Sequence, residues 1–235
     1  MAASFEYENL NHRRPNAVNA TLRRLLPGVG RVAAQAAPYA AWWQARNREA
    51  LAADGADAGP LWVVLGDSMS QGIGASAVER GWVPQVAETL QGRGTRVRVL
   101  NLSFSGARVA DVAERQLAAL AAAGAEPAVT TLLVGSNDLL RRSLRRELVE
   151  RYEELLERVP DGTLVATTPG RGRLGQVAER VERHPRVVPV PLSFAAGEVA
   201  EDRFHPDDAA YARLAATFTG PIGARLRPRG GASRG

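Results

Sequence analysis

The stretch Leu61–Gly72, LWVVLGDSMSQG, constrains this chain more than any other. Its apolar opening, with β-branched Val63 and Val64, describes a short strand buried on both faces, and Gly66 ends it with a residue that tolerates unusual backbone angles. After it, apolar runs and helical patterns alternate. Residues 80–91 place Trp82, Val83, Val86 and Leu90 at helical spacing, and 96–102 reads RVRVLNL as a second strand. A helix over 109–122, a strand over 129–134, a helix over 143–159, a strand over 163–167, a helix over 175–182, a strand over 186–190 and a closing helix from 207 to about 218 complete the order. Strict alternation of this kind demands right-handed crossovers and a parallel sheet with helices on both faces. Ligands of such sheets bind outside the carboxyl ends of the strands, so Ser68, two residues past the end of the first one, is a candidate nucleophile. A serine hydroxyl needs a base to take its proton and a third group to orient that base.

Composition narrows the class. With 235 residues, 45% of them hydrophobic, the chain buries a full core as one catalytic domain with an added segment. The net charge is +5 and every basic side chain other than histidine is arginine, but the arginines alternate with glutamates, as in RRSLRRELVERYEELLERV, and read as solvated helix faces rather than a nucleic-acid stripe. No nucleic-acid partner is expected. The absence of cysteine excludes disulfides and thiolate metal sites, and three histidines do not make a histidine-rich metal cluster. Residues 1–30 lack a continuous apolar signal-peptide core, and no run approaches the roughly 20 apolar residues needed to span a bilayer. A cytoplasmic protein that is not transmembrane is the expectation.

Before the first strand, residues 1–18 are polar and are expected to form a disordered head without function. Residues 19–60 form a helical extension and linker, with breaks at Pro27, Gly28 and Gly30, a helix interrupted at Pro38, and a linker over 54–60. The aromatics Tyr39, Trp42 and Trp43 either dock this extension on the core or serve as a lid or lipid-contacting surface for an apolar substrate. The catalytic domain then spans 61–227, followed by a flexible tail over 228–235.

The strand ends supply partners for Ser68. The second strand runs into NLSFSG, Asn101 to Gly106, and the third into GSND, Gly135 to Asp138. Glycine brings a backbone N–H close to a ligand, asparagine offers an amide donor, and two or three such donors make an oxyanion hole. Asp202 and His205 stand in D-x-x-H just before the last helix, a spacing at which a carboxylate holds the imidazole from the same loop. His12 lies in the polar head and His184 at a helix-to-strand turn, which leaves His205 as the base.

These four runs, Gly66-Asp67-Ser68, Asn101 to Gly106, Gly135-Ser136-Asn137-Asp138 and Asp202-x-x-His205, resemble the signature blocks of the SGNH hydrolases, also called the GDSL esterase/lipase family, over residues 61 to about 220. The resemblance implies a flavodoxin-like three-layer α/β/α sandwich with a five-stranded parallel sheet. It also implies Ser68 as nucleophile, His205 as base oriented by Asp202, and an oxyanion hole made by the backbone N–H of Ser68 with Gly106 and Asn137. It requires no metal and no cofactor. Asp67, Asp138, Arg171 and Arg173 are expected to face the substrate, the two arginines toward an anionic leaving group. The partner is a small acyl ester. Neither the acyl group nor the leaving group is fixed by fold and catalytic residues, and acyl transfer to another alcohol or a non-catalytic binding role are the alternatives.

Three other motifs are accidents of composition. G-x-S-x-G at Gly231–Gly235 follows no strand. Gly72-x-Gly74-x-x-Ala77 starts too late after its strand for a dinucleotide turn, and Gly170-x-Gly172-x-x-Gly175 leads to a strand with no acid at its end.

Overall fold

The computed structural model describes residues 5–13, 21, 24–53, 58–168 and 170–226. The tail over 228–235 and its G-x-S-x-G lie outside these residues, as do half of the head and part of the 54–60 linker.

Five strands, β1 (Leu61–Gly66), β2 (Arg98–Asn101), β3 (Val129–Leu133), β4 (Thr163–Thr167) and β5 (Val187–Pro191), form one parallel sheet in the order β2-β1-β3-β4-β5. Before it run α1 (Pro27–Ala34) and α2 (Ala36–Ala52). The crossovers and the end of the chain hold α3 (Ser68–Gln71), α4 (Trp82–Gly92), α5 (residues 109–123), α6 (Ser136–Leu139), α7 (Arg142–Leu156), α8 (Arg173–Arg183) and α9 (Asp208–Leu226). All six residues of β1 are buried. Successive side chains of a strand point to opposite faces, and β1 divides accordingly. Trp62 and Val64 pack with Trp82, Val86, Leu90, Tyr211 and Phe218 of α4 and α9, whereas Leu61, Val63 and Leu65 pack with Val112, Leu148, Tyr152, Val177 and Val181 of α5, α7 and α8. The sheet and its two helical layers make the expected three-layer sandwich.

The added N-terminal segment departs from its sequence reading at three points. The break between α1 and α2 falls at Gln35, not Pro38; Pro38 sits in the first turn of α2, where its missing N–H has no helical acceptor to lose. Pro27, Gly28 and Gly30 lie inside α1, with Pro27 at its first position, where a fixed φ suits a helix start. Residues 5–13, expected in a disordered head, are packed on the turn that follows β2, and Asn9 is fully buried there. Polarity misled because these side chains hydrogen-bond to backbone rather than to water.

The outer edge of β2 is covered by side chains instead of a strand. Asn47 of α2 accepts from the Asn101 N–H at 2.8 Å and donates to the Asn101 carbonyl at 2.7 Å, and Asn9 donates to the same carbonyl at 2.8 Å. Two asparagine amides therefore stand in for a missing neighbour and block the edge. Tyr39 Oη donates to the Ala75 carbonyl at 3.0 Å and Trp43 Nε1 to the Gln71 carbonyl at 3.0 Å, which seats α2 on the segment after Ser68. Asn47→Ala strips the buried Asn101 N–H of its acceptor, so it is expected to lower unfolding stability by roughly 2 kcal/mol, read as a lower urea midpoint at unchanged slope.

Candidate active site

At the carboxyl end of β1 the chain turns from Gly66 into α3. Asp67 caps that helix by accepting from the Met69 N–H at 3.0 Å, and Ser68 opens it. The first N–H groups of a helix have no partner within it, so the Ser68 amide is free to serve a ligand. Gly66 itself is gripped by Gln116, which accepts from the Gly66 N–H at 2.8 Å and donates to its carbonyl at 2.7 Å. Gln116 reaches Gly66 from Val112–Gln116, a π-helical stretch of α5; such stretches take one extra residue into a hydrogen-bonded turn and occur at functional sites.

His205 closes on Ser68 from the loop before α9. His205 Nε2 lies 3.0 Å from Ser68 Oγ, and His205 Nδ1 lies 2.5 Å from Asp202 Oδ2. The other carboxylate oxygen of Asp202 accepts the N–H groups of Phe204 and His205, both at 3.0 Å, so one side chain shapes the loop and orients the ring together. Arg203 between them takes a positive φ of 56°, an uncommon conformation for a residue with a Cβ. The loop needs room against Gly74, where φ is +102° and an added Cβ would stand 2.7 Å from the His205 Cβ and 2.5 Å from the Pro206 carbonyl. Gly74, which the sequence reading set aside with a dinucleotide pattern, lets the histidine reach the serine.

Two further strand ends converge on the same edge. Gly106 and Asn137 are half-buried, and Asn137 Nδ2 donates to the Ala107 carbonyl at 2.9 Å, which spends one amide hydrogen and leaves the other. Asp138 accepts from the Val109 N–H at 3.2 Å, so the third block ties down the chain just after the second block twice. Asp67 and Asp138, expected to face the substrate, are 0% and 1% exposed and hold Met69, Ser136 and Val109. They stand behind the site because each is the nearest acceptor for a helix or turn N–H. Arg171 and Arg173 are exposed at the exit from β4, with Arg173 hydrogen-bonded to Gln176. Packing accounts for Gly175, where an added Cβ would run into the Gly170 carbonyl, whereas Gly170 and Gly172 have open space around them and take positive φ of +138° and +89°.

The carboxylates differ in acidity. Burial pushes Asp67 up to about 6, against the lowering pull of the Met69 N–H and the Ser136 hydroxyl. At Asp202 burial also pushes upward, but the hydrogen bond from the His205 ring, with the His205 and Phe204 N–H groups, outweighs it and holds this carboxyl at about 2. Asp202 is therefore ionised across the whole neutral range.

Fold and site together define a class: α/β/α hydrolases that act at the carboxyl ends of a parallel sheet. The model of the GDSL-like lipase/acylhydrolase family matches residues 64–213, so the chain belongs to that family and, through it, to the carboxylic ester hydrolases. Compared by sequence with curated proteins, it matches none. Among solved structures it is similar to TesA, with 25% identity and a TM-score of 0.57 over 71% of this chain and 99% of that one. It is similar also to a lipase/acylhydrolase from Enterococcus faecalis, with 21% identity and a TM-score of 0.55 over 72% and 98% of the two chains. A catalytic mutant of Axe2, an acetylxylan esterase from Geobacillus stearothermophilus, superposes with 20% identity and a TM-score of 0.54 over 73% and 98%.

Sequence reasoning missed Gln116, Gly74, Gln71 and the asparagines at 9, 11 and 47. The alternation of Tyr7, Asn9, Asn11 and Arg13 was the one available signal, a polar period of two that puts four hydrogen-bonding side chains on one side of an extended chain. For Asp67, the folded protein holds its proton more tightly than an unfolded chain with a carboxyl at 3.8, so stability from this group is complete below that value and is lost as pH rises through about 6. Asp67→Asn is expected to remove this decline, worth about 3 kcal/mol, when urea midpoints of parent and variant are compared between about pH 4 and 7.

Proposed function

We propose that the chain hydrolyses acyl esters through an acyl-enzyme on Ser68. The observation that carries the reading is the continuous row Ser68 Oγ, His205, Asp202, with separations of 3.0 and 2.5 Å, at the mouth of the strand ends. His205 Nε2 takes the Ser68 proton as Oγ bonds to the ester carbonyl carbon, and the negative charge gathers on the carbonyl oxygen. The N–H groups of Ser68 and Gly106 and the remaining amide hydrogen of Asn137 receive that oxygen. Collapse of the tetrahedral species breaks the bond to the leaving alcohol, which departs with the proton from His205. Water then repeats the sequence: His205 takes its proton, the acyl carbon gains the hydroxyl, and Ser68 Oγ leaves and is reprotonated. Asp202 keeps Nδ1 protonated and stabilises the imidazolium in both halves.

Small acyl esters are the proposed substrates, in line with esterase, lipase and acylhydrolase among the descriptions of the similar structures. Among the described residues no helix is long and apolar enough to cross a membrane, and the reading needs none.

Short-chain nitrophenyl esters test the mechanism. Ser68→Ala and His205→Ala are each expected to abolish nearly all turnover, and the double variant is expected to be hardly worse, because the two act as a unit. Asn137→Ala is expected to lower kcat by about 100- to 1000-fold with little change in KM, since its donor meets the oxyanion only as the tetrahedral species forms. Treatment with a chelator is expected to leave the parent active. Full activity in Ser68→Ala, or an effect of Asn137→Ala on KM alone, contradicts the mechanism.

A further inference from the structure

The donor peptide at Gly106 is built into a turn, not a strand or helix, so something outside the regular structure must hold its direction. The chain leaves the sheet at Asn101, the last residue of β2, and backbone carbonyls from Asn101 to Gly106 are met by side chains from residues 7–13. Tyr7 Oη donates to the Leu102 carbonyl at 2.5 Å. Asn9 Nδ2 donates to the carbonyls of Asn101 and Ser103, both at 2.8 Å. Asn11 Nδ2 donates to the Ser105 carbonyl at 3.2 Å, and Arg13 to the Gly106 carbonyl at 3.1 Å. Two side chains of the core hold the segment in place: Gln71 donates to the Asn9 carbonyl at 2.9 Å and Arg115 to the Leu10 carbonyl at 3.1 Å.

We propose that residues 7–13 are a positioning strap for the oxyanion hole, in which Asn11 and Arg13 set the direction of the Gly106 N–H. The inference rests on the reading of that N–H as an oxyanion donor. In a planar trans peptide the C=O and the N–H point in opposite directions, so the peptide from Ser105 to Gly106 is aimed by whatever grips the Ser105 oxygen. Asn11 is that grip. Its amide cannot turn over freely, because Oδ1 accepts the Arg13 N–H at 3.0 Å and so fixes which end faces Ser105. The peptide on the other side of Gly106 is held through its oxygen by Arg13, whose guanidinium is itself anchored in two contacts of 2.8 and 2.6 Å on Asp111. The peptide before Ser105 is held through the Ser105 N–H, which Gln71 accepts at 2.8 Å. Three peptides in a row thus have their planes fixed by side chains, two of the three from the strap.

Gly106 shows the fit from the other side. Its φ is +79°, and a Cβ placed on it would stand 2.7 Å from Asn11 Nδ2, so the missing side chain is the space in which the Asn11 amide lies. The strap is outside the stretch matched by the family model, residues 64–213, although the loop that it holds is inside. Asn11 and Arg13 touch no reacting atom; they act through the peptide.

The test uses the full-length chain, a short-chain nitrophenyl ester as substrate and a boronic acid that forms a reversible tetrahedral adduct with serine as a probe of the oxyanion hole. Asn11→Ala is expected to lower kcat by roughly 10- to 100-fold, KM is expected to stay as in the parent, and boronic acid affinity is expected to fall by the same factor as kcat. Asn11→Asp has the same skeleton without a donor and is expected to behave alike, whereas Asn11→Gln, with its amide on a longer arm, is expected to recover part of kcat. A role in folding alone would lower the thermal midpoint and leave kcat and boronic acid affinity of the folded fraction at parental values, and that result overturns the proposal. So does a change confined to KM. Full activity in Ser68→Ala overturns the nucleophile reading and the strap with it; an inactive Ser68→Ala beside a fully active Asn11→Ala overturns the strap alone.

Discussion

The position of β1 between β2 and β3 is the constraint from which the site follows. A right-handed crossover to β2 carries the chain one way from β1, and the crossover to β3 carries it the other way, so the turns after these strands separate and leave a crevice beside the end of β1. Ser68 starts a helix at that crevice, with Gly106 on one side and Asn137 on the other. The cost of burying β1 on both faces is met by alternate packing of Trp62 and Val64 against one layer and Leu61, Val63 and Leu65 against the other. Because neither face can slip without exposing these side chains to water or burying polar ones, the register of the central strand, and with it the place of Ser68, is strongly fixed.

Much of this was legible in the residues. The alternation of apolar runs and helical spacings predicts the five strands and their parallel arrangement, since a strand buried on two faces leaves few other architectures. The D-x-x-H spacing is legible for a local reason: Asp202 and His205 lie on one tight loop, and Asp202 closes that loop by accepting two of its N–H groups. What was not legible depends on distant pairing. Asn9 and Asn47 meet at Asn101 from segments far apart in the chain, and an asparagine read alone looks solvated. Pro38 was read as a break because proline disrupts helix interiors, but in a first turn that penalty is absent.

Asp67 and Asp202 show how little a residue type says about acidity. Both are screened from water, but Asp202 receives an imidazole and two amides, whereas Asp67 receives one amide and one hydroxyl with another carboxylate, Asp138, nearby. The result is one carboxyl held at about 2 and one pushed to about 6. Asp202 serves the ring, while Asp67 serves the backbone that presents Ser68.

The π-helical stretch Val112–Gln116 bears on how this chain can vary in length. Removal of one residue there would restore regular α-helical turns, and because a π turn fits its additional residue into about the same rotation round the axis, the helix on either side of the deletion would keep its facing. Loss of Gln116 itself would instead leave both backbone polar groups of buried Gly66 unpaired. Helix α5 is thereby open to a one-residue shortening at exposed Glu114, provided that Gln116 is retained.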